Sequence, residues 1–193
     1  IWNGNLSGNW DTNTANWQGA KIWGDYQGAV FDDTASGSTT ITLTNIFAPA
    51  GWAISSNIVA GVTNRFTNSP VMSPGLVINN TTKDYVFLAS TNGRISGMTG
   101  LYKTGSGTAT ILQAHDFTGN TIIGGGTLAI SNVAAIGANG NANGTRGNNN
   151  QLFINGGTLR YIGLANGTIA RATSIQPGSA TIDVASATNE LTA

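Results

Sequence analysis

The feature that most constrains the fold of this chain is a short unit that occurs four times in its second half. Each copy opens with small, turn-forming residues and continues as a short strand in which polar and apolar side chains alternate. The copies occupy residues 105–111, 124–130, 155–161 and 177–183. Their spacing, about 19 to 31 residues, is typical of stacked repeats, in which each unit buries its apolar face only against its neighbours. The repeat therefore predicts a β-solenoid.

Strands are predicted for most of the chain. Asn-Gly and Gly-Gly pairs favour the positive-φ backbone of tight turns, and strong helix formers such as Glu and Lys are rare. Alternation with period two predicts strands at 40–44, 108–112, 127–130, 152–154 and 180–184. The fold class is therefore all-β. A β-sandwich is the alternative, although its hairpins would place strands every 8 to 12 residues or so, closer than the repeats here.

Residues 100–130 resemble the autotransporter-associated β-strand repeat. That repeat reads Lys-Thr-Gly-x-Gly-Thr, then a strand, an aromatic-Thr-Gly turn, Gly-Gly-Thr-Leu and a second strand. The sequence matches these motifs at 103–108, 117–119 and 125–128. The resemblance implies a right-handed parallel β-helix that is exposed on a bacterial surface.

The tryptophans are concentrated at the start of the chain, at Trp2, Trp10, Trp17 and Trp23, with the fifth at Trp52. The residues around the first three are similar, more weakly, to the Trp-rich opening segment of autotransporter passenger domains. A solenoid needs a cap over its first coil, and buried indole rings suit that role. Exposed rings would instead stack on sugars, so these first four tryptophans are candidate glycan or interface contacts.

Three regions follow from these patterns. Residues 1–44 are predicted to form the Trp-rich N-terminal cap and the first strands, and residues 45–99 a β-rich segment of unassigned type. Residues 100–193 are predicted to form the solenoid repeats, with a polar insertion at 137–150. Because that insertion is rich in Asn and Gly, it is expected to leave one corner as a loop.

Charge excludes several classes of partner. Eight basic side chains balance eight acidic ones, charged residues make up only 8% of the chain, and the basic residues are scattered, so no nucleic-acid partner is expected. No stretch approaches the roughly 20 apolar residues of a membrane helix, so this chain is not expected to insert into a membrane. The absence of cysteine excludes disulfides and thiolate zinc sites.

The sequence predicts neither a catalytic site nor a cofactor. His115 is the only histidine, which excludes a two-histidine metal site, and it is interpreted as a corner residue beside Asp116. No serine lies in a nucleophile elbow. Asp32 and Asp33 are the only adjacent acids. Calcium there is the alternative to solvated turn carboxylates, but no known calcium-loop pattern surrounds them.

The function expected is that of a non-enzymatic, extracellular or cell-surface bacterial protein with a structural role. The chain is expected to be a fibre or filament subunit, or a stalk, that assembles head-to-tail through its strand edges. Its expected partner is therefore a second copy of itself. The alternative is an adhesin or carbohydrate-binding module whose N-terminal aromatic residues contact surface glycans.

Overall fold

The computed structural model describes residues 1–25, 27–49, 75–138, 151–176, 179–186 and 188–192. Within these ranges the chain is almost entirely β. The one helix there is a four-residue 3-10 turn, Val133–Ile136, which is far too short to cross a membrane. The strands are β1 (Asn9–Trp10), β2 (Ala29–Asp32), β3 (Thr40–Leu43), β4 (Ile46–Phe47), β5 (Leu76–Asn79), β6 (Tyr85–Ala89), β7 (Arg94–Ile95), β8 (Leu101–Thr104), β9 (Thr108–Ile111), β10 (Thr121–Ile123), β11 (Thr127–Ile130), β12 (Leu152–Ile154), β13 (Thr158–Tyr161), β14 (Gly167–Thr168), β15 (Thr173–Ile175), β16 (Thr181–Val184) and β17 (Leu191–Thr192).

The strands form two principal sheets in which every pairing is parallel. Sheet 1 has the order β2-β5-β8-β10-β12-β15, and sheet 2 has the order β1-β3-β6-β9-β11-β13-β16. The chain passes from a strand of sheet 1 to one of sheet 2 and returns to sheet 1 one position further along. This path is a parallel β-helix, so the predicted fold class is confirmed. The hairpins that a β-sandwich requires are not formed among the described strands.

Six coils follow one another, each with one strand in each principal sheet. Coil 1 runs through β2 and β3, and coils 2 to 6 begin at β5, β8, β10, β12 and β15. The short pairs β4-β7 and β14-β17 add a third side to four of the coils. In coil 4 the 3-10 turn follows the strand of sheet 2. Neither principal sheet is interrupted where residues 45–99 meet the repeats, because β5 pairs with β8 and β6 with β9.

The strands predicted from alternation are confirmed as β3, β9, β11, β12 and β16. Most of the polar insertion, 139–150, and the fifth tryptophan, Trp52, lie outside the described residues. The described part of the unassigned segment, 75–99, supplies strands to both principal sheets.

Apolar side chains from successive coils stack in columns inside the helix. One column in sheet 2 consists of Ile41, Phe87, Ile111, Ile130 and Tyr161, all in register and all buried. A fully buried side chain of this size contributes about 1.5 to 3 kcal/mol relative to an exposed one. Because each column is shared between coils, no coil buries its apolar face alone.

The turns that open the first two repeats each contain a glycine at a crowded position. Gly105 has φ +73°, and a Cβ there would lie 2.2 Å from the Asn80 carbonyl oxygen of the preceding coil. Gly126 has φ +61°, and its Cβ would lie 2.4 Å from the carbonyl oxygens of Gly105 and Gly107. Both the left-handed backbone and the close approach of neighbouring turns therefore require glycine.

Candidate functional site

The N-terminal segment covers the exposed edge of coil 1 with an additional partial coil. The Trp2 N–H donates to the Val30 carbonyl at 2.8 Å, and β1 pairs in parallel with β3. At the end of that pairing, the Thr44 N–H donates to the Trp10 carbonyl at 3.2 Å. These contacts satisfy backbone groups that an uncovered first coil would leave open. The segment thus has the geometry of a cap.

The four cap tryptophans lie inside the fold. Trp2 and Trp10 are 0% exposed, Trp17 is 5% exposed and Trp23 is 3% exposed. Trp10 is central, with ring centroids 5.3 Å from Trp17, 4.8 Å from Trp23 and 5.2 Å from Phe47. Aromatic clusters of this kind contribute both buried area and edge-to-face contacts. Since stacking on a sugar needs an exposed ring face, this geometry favours the cap interpretation, and glycan contact through these rings stays a prediction.

Asn16 joins separate stretches of the N-terminal segment to one another. Its side-chain oxygen accepts hydrogen bonds from the Leu6 and Ser7 N–H groups, both at 3.1 Å, and its amide donates to the Asn9 carbonyl at 2.9 Å. Its own carbonyl accepts from the N–H of Asn3 at 2.7 Å. Only 1% of Asn16 is exposed. A single buried amide therefore holds the cap segment in place.

His115 and Asp116 are adjacent in sequence but point into different environments. His115 is buried in the corner between β9 and β10, and its Nδ1 accepts a hydrogen bond from the Ile95 N–H at 3.0 Å. Burial lowers the pKa of His115 to about 3, although the neighbouring Asp116 opposes the shift. The half-exposed Asp116 carboxylate instead accepts a hydrogen bond from the Arg94 Nε–H, with 2.8 Å between Nε and Oδ2. His115 is therefore a neutral corner residue.

Asp33 is held by the backbone of the next coil. Its carboxylate accepts hydrogen bonds from the N–H groups of Thr81, Thr82 and Lys83 at 3.0 to 3.1 Å. Burial raises the pKa of Asp33 most, but these donors together hold it below the ordinary value. The neighbouring Asp32 accepts from Thr34 at 2.9 Å. Among the described residues, no three His, Asp or Glu side chains come together as a metal site, and calcium at Asp32 and Asp33 stays an untested alternative.

The remaining aspartates are also engaged within the protein. Asp11 binds the N–H groups of the following turn, and Asp25 accepts from Trp23 Nε1 at 3.1 Å. Asp84 accepts from the Thr108 N–H at 2.7 Å, and Asp183 pairs with Arg160 at 3.3 Å. These carboxylates connect turns, neighbouring coils and outward side chains. Each has a structural partner, so the geometry assigns none of them a catalytic role.

Lys103 occupies an unusual position for a charged side chain. It lies in an inward column of sheet 1, in register between Ile78 and Ile123, and it is 0% exposed. Its ammonium group donates to the carbonyls of Thr104 at 2.8 Å, Gly105 at 3.2 Å and Gly125 at 3.3 Å. Burial lowers the pKa of Lys103 to about 8. The lysine of the repeat motif therefore binds the turns of two successive coils.

Arg171 performs a comparable role at another corner. Its guanidinium donates to the carbonyls of Phe117 at 3.3 Å, Gly119 at 3.2 Å and Ala138 at 3.1 Å. It also lies 5.5 Å from the centre of the Phe117 ring. Burial lowers its pKa to about 10. Since Ala138 lies at the start of the predicted insertion, 137–150, Arg171 connects the beginning of that region to two other corners.

The outer face of sheet 1 carries apolar side chains where solvent-facing polar residues would be expected. Each of the six strands contributes one outward-facing residue to a row that is in register from coil to coil. From coil 1 to coil 6 these residues are Val30, Val77, Tyr102, Ile122, Phe153 and Ser174. Val77 is 9% exposed, and the other five are half-buried. We call this row the outer column. The next outward position carries polar residues, among them Asn79, Thr104 and Asn155.

A comparison with curated proteins finds similarity to the adhesin BmaC autotransporter of Brucella suis biovar 1 (strain 1330). The two are 31% identical over 144 residues, which takes in 70% of this chain and 4% of the adhesin. The chain thus spans a small part of that protein's length. No family model and no solved structure matches the sequence. The similarity relates the chain to autotransporter proteins, while the specific repeat type stays a prediction.

The roles of Lys103, Arg171 and the outer column were not predicted from the sequence. Nothing in the local sequence of the two cations indicates burial. The outer column does leave a signal, since the strands Leu76–Asn79 and Leu101–Thr104 carry apolar residues at consecutive positions instead of alternate ones. Such runs indicate strands that are apolar on both faces.

Proposed function

We propose that this chain is a non-enzymatic section of the β-helical stalk of a bacterial surface adhesin of the autotransporter type. The observation that carries the proposal is the coil-on-coil stacking of two parallel sheets over six coils. Each coil adds about 5 Å along the axis, and its strands bond to the coils before and after it. The result is a rod whose length depends on the number of coils. A stalk requires this property.

Two further observations support a structural role. The ionisable side chains described above bind turns, corners or one another instead of converging on a cleft. The similarity to the BmaC adhesin supports a cell-surface or extracellular location, although this chain corresponds to only a small part of that protein. Both observations fit a supporting section of a longer surface molecule.

Immunolabelling of intact cells of the source bacterium tests this proposal. An antibody raised against the purified chain is expected to label unpermeabilised cells, and protease added outside the cells should remove the label. A cytoplasmic protein serves as the control for membrane integrity. Labelling that appears only after permeabilisation would contradict the proposal.

Head-to-tail assembly of copies through strand edges is a second candidate. It is favoured by coil 6, where Ile175 in β15 is 61% exposed and Ile182 in β16 is 39% exposed. These two strands are the last of sheet 1 and sheet 2. The opposite end differs, because residues 2–10 already cover the edge of coil 1. A second copy that approaches this end would therefore contact the cap, because the cap covers the strand edges of coil 1.

Sedimentation velocity over a range of protein concentrations tests this assembly. If the edges pair, larger species should appear as the concentration rises, and Ile182→Lys should abolish them. Leu164→Lys is the matched control, since Leu164 is 99% exposed and lies outside the strands. A strictly monomeric protein at every concentration would exclude assembly through the edges.

A further inference from the structure

We propose that Asn155 is a site of self-catalysed deamidation, at which the backbone amide of Gly156 converts the asparagine into aspartate or isoaspartate. The inference goes beyond the proposed function, because it concerns a chemical change in the chain itself. Asn155 lies in the exposed turn between β12 and β13 on coil 5. Water is the only other reactant that the change requires.

The reaction begins at the backbone nitrogen of Gly156. When this nitrogen loses its proton, it attacks the side-chain carbon Cγ of Asn155, and the new C–N bond closes a five-membered succinimide ring. The side-chain nitrogen of Asn155 takes up a proton and leaves as ammonia. A water molecule then opens the ring at either of its two carbonyl groups, which gives aspartate or isoaspartate. A hydrogen bond that holds the attacking N–H, or one that holds the side chain, therefore slows the reaction.

The backbone distinguishes this Asn-Gly pair from the others. The structure describes four such pairs, which begin at Asn3, Asn92, Asn155 and Asn166. In the other three pairs the glycine is buried, and its N–H donates to a backbone carbonyl. These bonds join Gly4 to Asn16 at 3.0 Å, Gly93 to Ser90 at 3.0 Å and Gly167 to Glu190 at 2.9 Å. Gly156 is exposed, and its N–H has no such partner among the described residues.

Gly156 also has space around it. Its φ is +89°, and a Cβ placed there would meet only the Gly124 carbonyl oxygen, at 3.5 Å. A Cβ at Gly93, by contrast, would lie 1.9 Å from the Leu43 carbonyl oxygen of the preceding coil. The peptide group of Gly156 can therefore rotate toward the neighbouring side chain, whereas that of Gly93 is fixed between coils.

The side chain of Asn155 is also free to react. It is exposed, and within the described part of the chain it makes no hydrogen bond. The Asn3 and Asn166 side chains, by contrast, accept hydrogen bonds at 2.7 Å and 3.0 Å. On coil 4 the position in line with Asn155 is Gly124, since these two residues follow the paired strands β12 and β10. That position therefore offers no side chain that holds the Asn155 amide.

The two products would alter the turn of coil 5 differently. Both add a negative charge to the row of polar residues beside the outer column. Isoaspartate also lengthens the backbone between β12 and β13 by one carbon atom. Because both strands pair with the coils before and after them, the longer turn should loosen the pairing of coil 5.

Peptide mapping by mass spectrometry, during incubation of the purified chain in mildly alkaline buffer, tests the proposal. Trypsin separates the four pairs into the peptides 1–21, 84–94, 147–160 and 161–171. We expect Asn155 to convert into aspartate and isoaspartate at least tenfold faster than Asn92 does. The rate should rise with pH, because the attacking nitrogen must lose its proton. Asn155→Gln should remove the product from the peptide 147–160, since glutamine would have to close a six-membered ring.

Asn92 is the matched control within the same molecule, because it is also exposed and also precedes a glycine. In concentrated urea the two asparagines should react at similar rates, since unfolding releases the Gly93 N–H from Ser90. If Asn155 reacts no faster than Asn92 in the folded protein, or if the difference between them persists in urea, the proposal is wrong. It is also wrong if Asn155→Gln leaves the product in the peptide 147–160, because another asparagine is then its source.

Discussion

At the scale of single residues, the fold depends on buried polar groups that bind mainly to the backbone. The ammonium of Lys103 and the guanidinium of Arg171 donate to carbonyl oxygens, and the described residues place no carboxylate in hydrogen-bond contact with either group. Removing a charge from water is costly, and hydrogen bonds to charged groups offset part of that cost. Both cations thereby connect turns that belong to different coils.

The lowered pKa of Lys103 predicts that stability rises with pH. The folded protein releases the Lys103 proton near pH 8, whereas the unfolded chain holds it until about pH 10.5. Between these values the unfolded state binds more protons, so the free energy of unfolding increases with pH by as much as about 1.4 kcal/mol per pH unit. Urea unfolding at pH 7 and pH 9.5 should show this increase.

The control for this prediction is Lys103→Met, which keeps the length of the side chain but cannot titrate. Its free energy of unfolding should change less between the two pH values. Measurements stop at pH 9.5 because the pKa of Tyr85 is raised by burial, which makes stability fall again at higher pH as tyrosine in the unfolded chain ionises. An equal rise in the variant would show that Lys103 is not the titrating group.

At the scale of elements, the repeat turns determine how closely successive coils approach. Gly126→Ala combines a left-handed φ of +61° with two backbone contacts at 2.4 Å. The Gly107 carbonyl accepts a hydrogen bond from the Thr127 N–H, and the Gly105 carbonyl accepts one from the Lys103 ammonium. Because moving either carbonyl would disturb these bonds, the substitution should reduce the free energy of unfolding by about 3 kcal/mol or more. Chemical denaturation measures this change. Gly24→Ala is the control, since its nearest contact is a flexible glutamine at 3.4 Å, and it should cost less than about 1 kcal/mol.

In the N-terminal cap, Asn16 is the side chain whose removal should lower the free energy of unfolding most. Asn16→Ala removes several buried hydrogen bonds and leaves N–H groups without partners, so we expect a loss of about 2 to 4 kcal/mol. The indole rings should become partly solvated, which intrinsic fluorescence would report as a red shift. Asn13→Ala is the matched control, because Asn13 is exposed and bonds only through its backbone N–H. A red shift in both variants would mean that Asn16 has no special role.

At the scale of the whole molecule, the two ends of the β-helix differ. The first coil is covered by backbone pairing and a cluster of indoles, whereas coil 6 carries half-exposed or exposed residues such as Ile175, Ile182 and Val184. Coils between them are bonded on both sides. Stability in such stacked structures is close to a sum of coil and interface contributions, so the ends should open independently of the middle.

Hydrogen exchange should reveal this difference. Amides of β9, β10 and β11 in the central coils should exchange most slowly, and those of β15, β16 and β17 most quickly. The reason is that, among the described strands, the two strands of coil 6 in the principal sheets pair only with coil 5. Mass spectrometry of peptic fragments at low protein concentration measures the gradient. If coil 6 is as well protected from exchange as the central coils at high protein concentration, but not at low concentration, coil 6 pairs with another copy. If protection is uniform along the chain at both concentrations, the predicted gradient is wrong.

The all-β class, the stacked repeat and five of the strands followed from sequence, because alternation with period two and the glycine-rich turns are local signals that the chain carries whatever its surroundings. Only the tertiary structure decided the rest. Local sequence does not distinguish a lysine that enters a core column, as Lys103 does, from one that points into water, and it does not show which Asn-Gly pair has a free glycine N–H. Burial and register arise from contacts between coils, and those contacts exist only once the chain has wound around its axis.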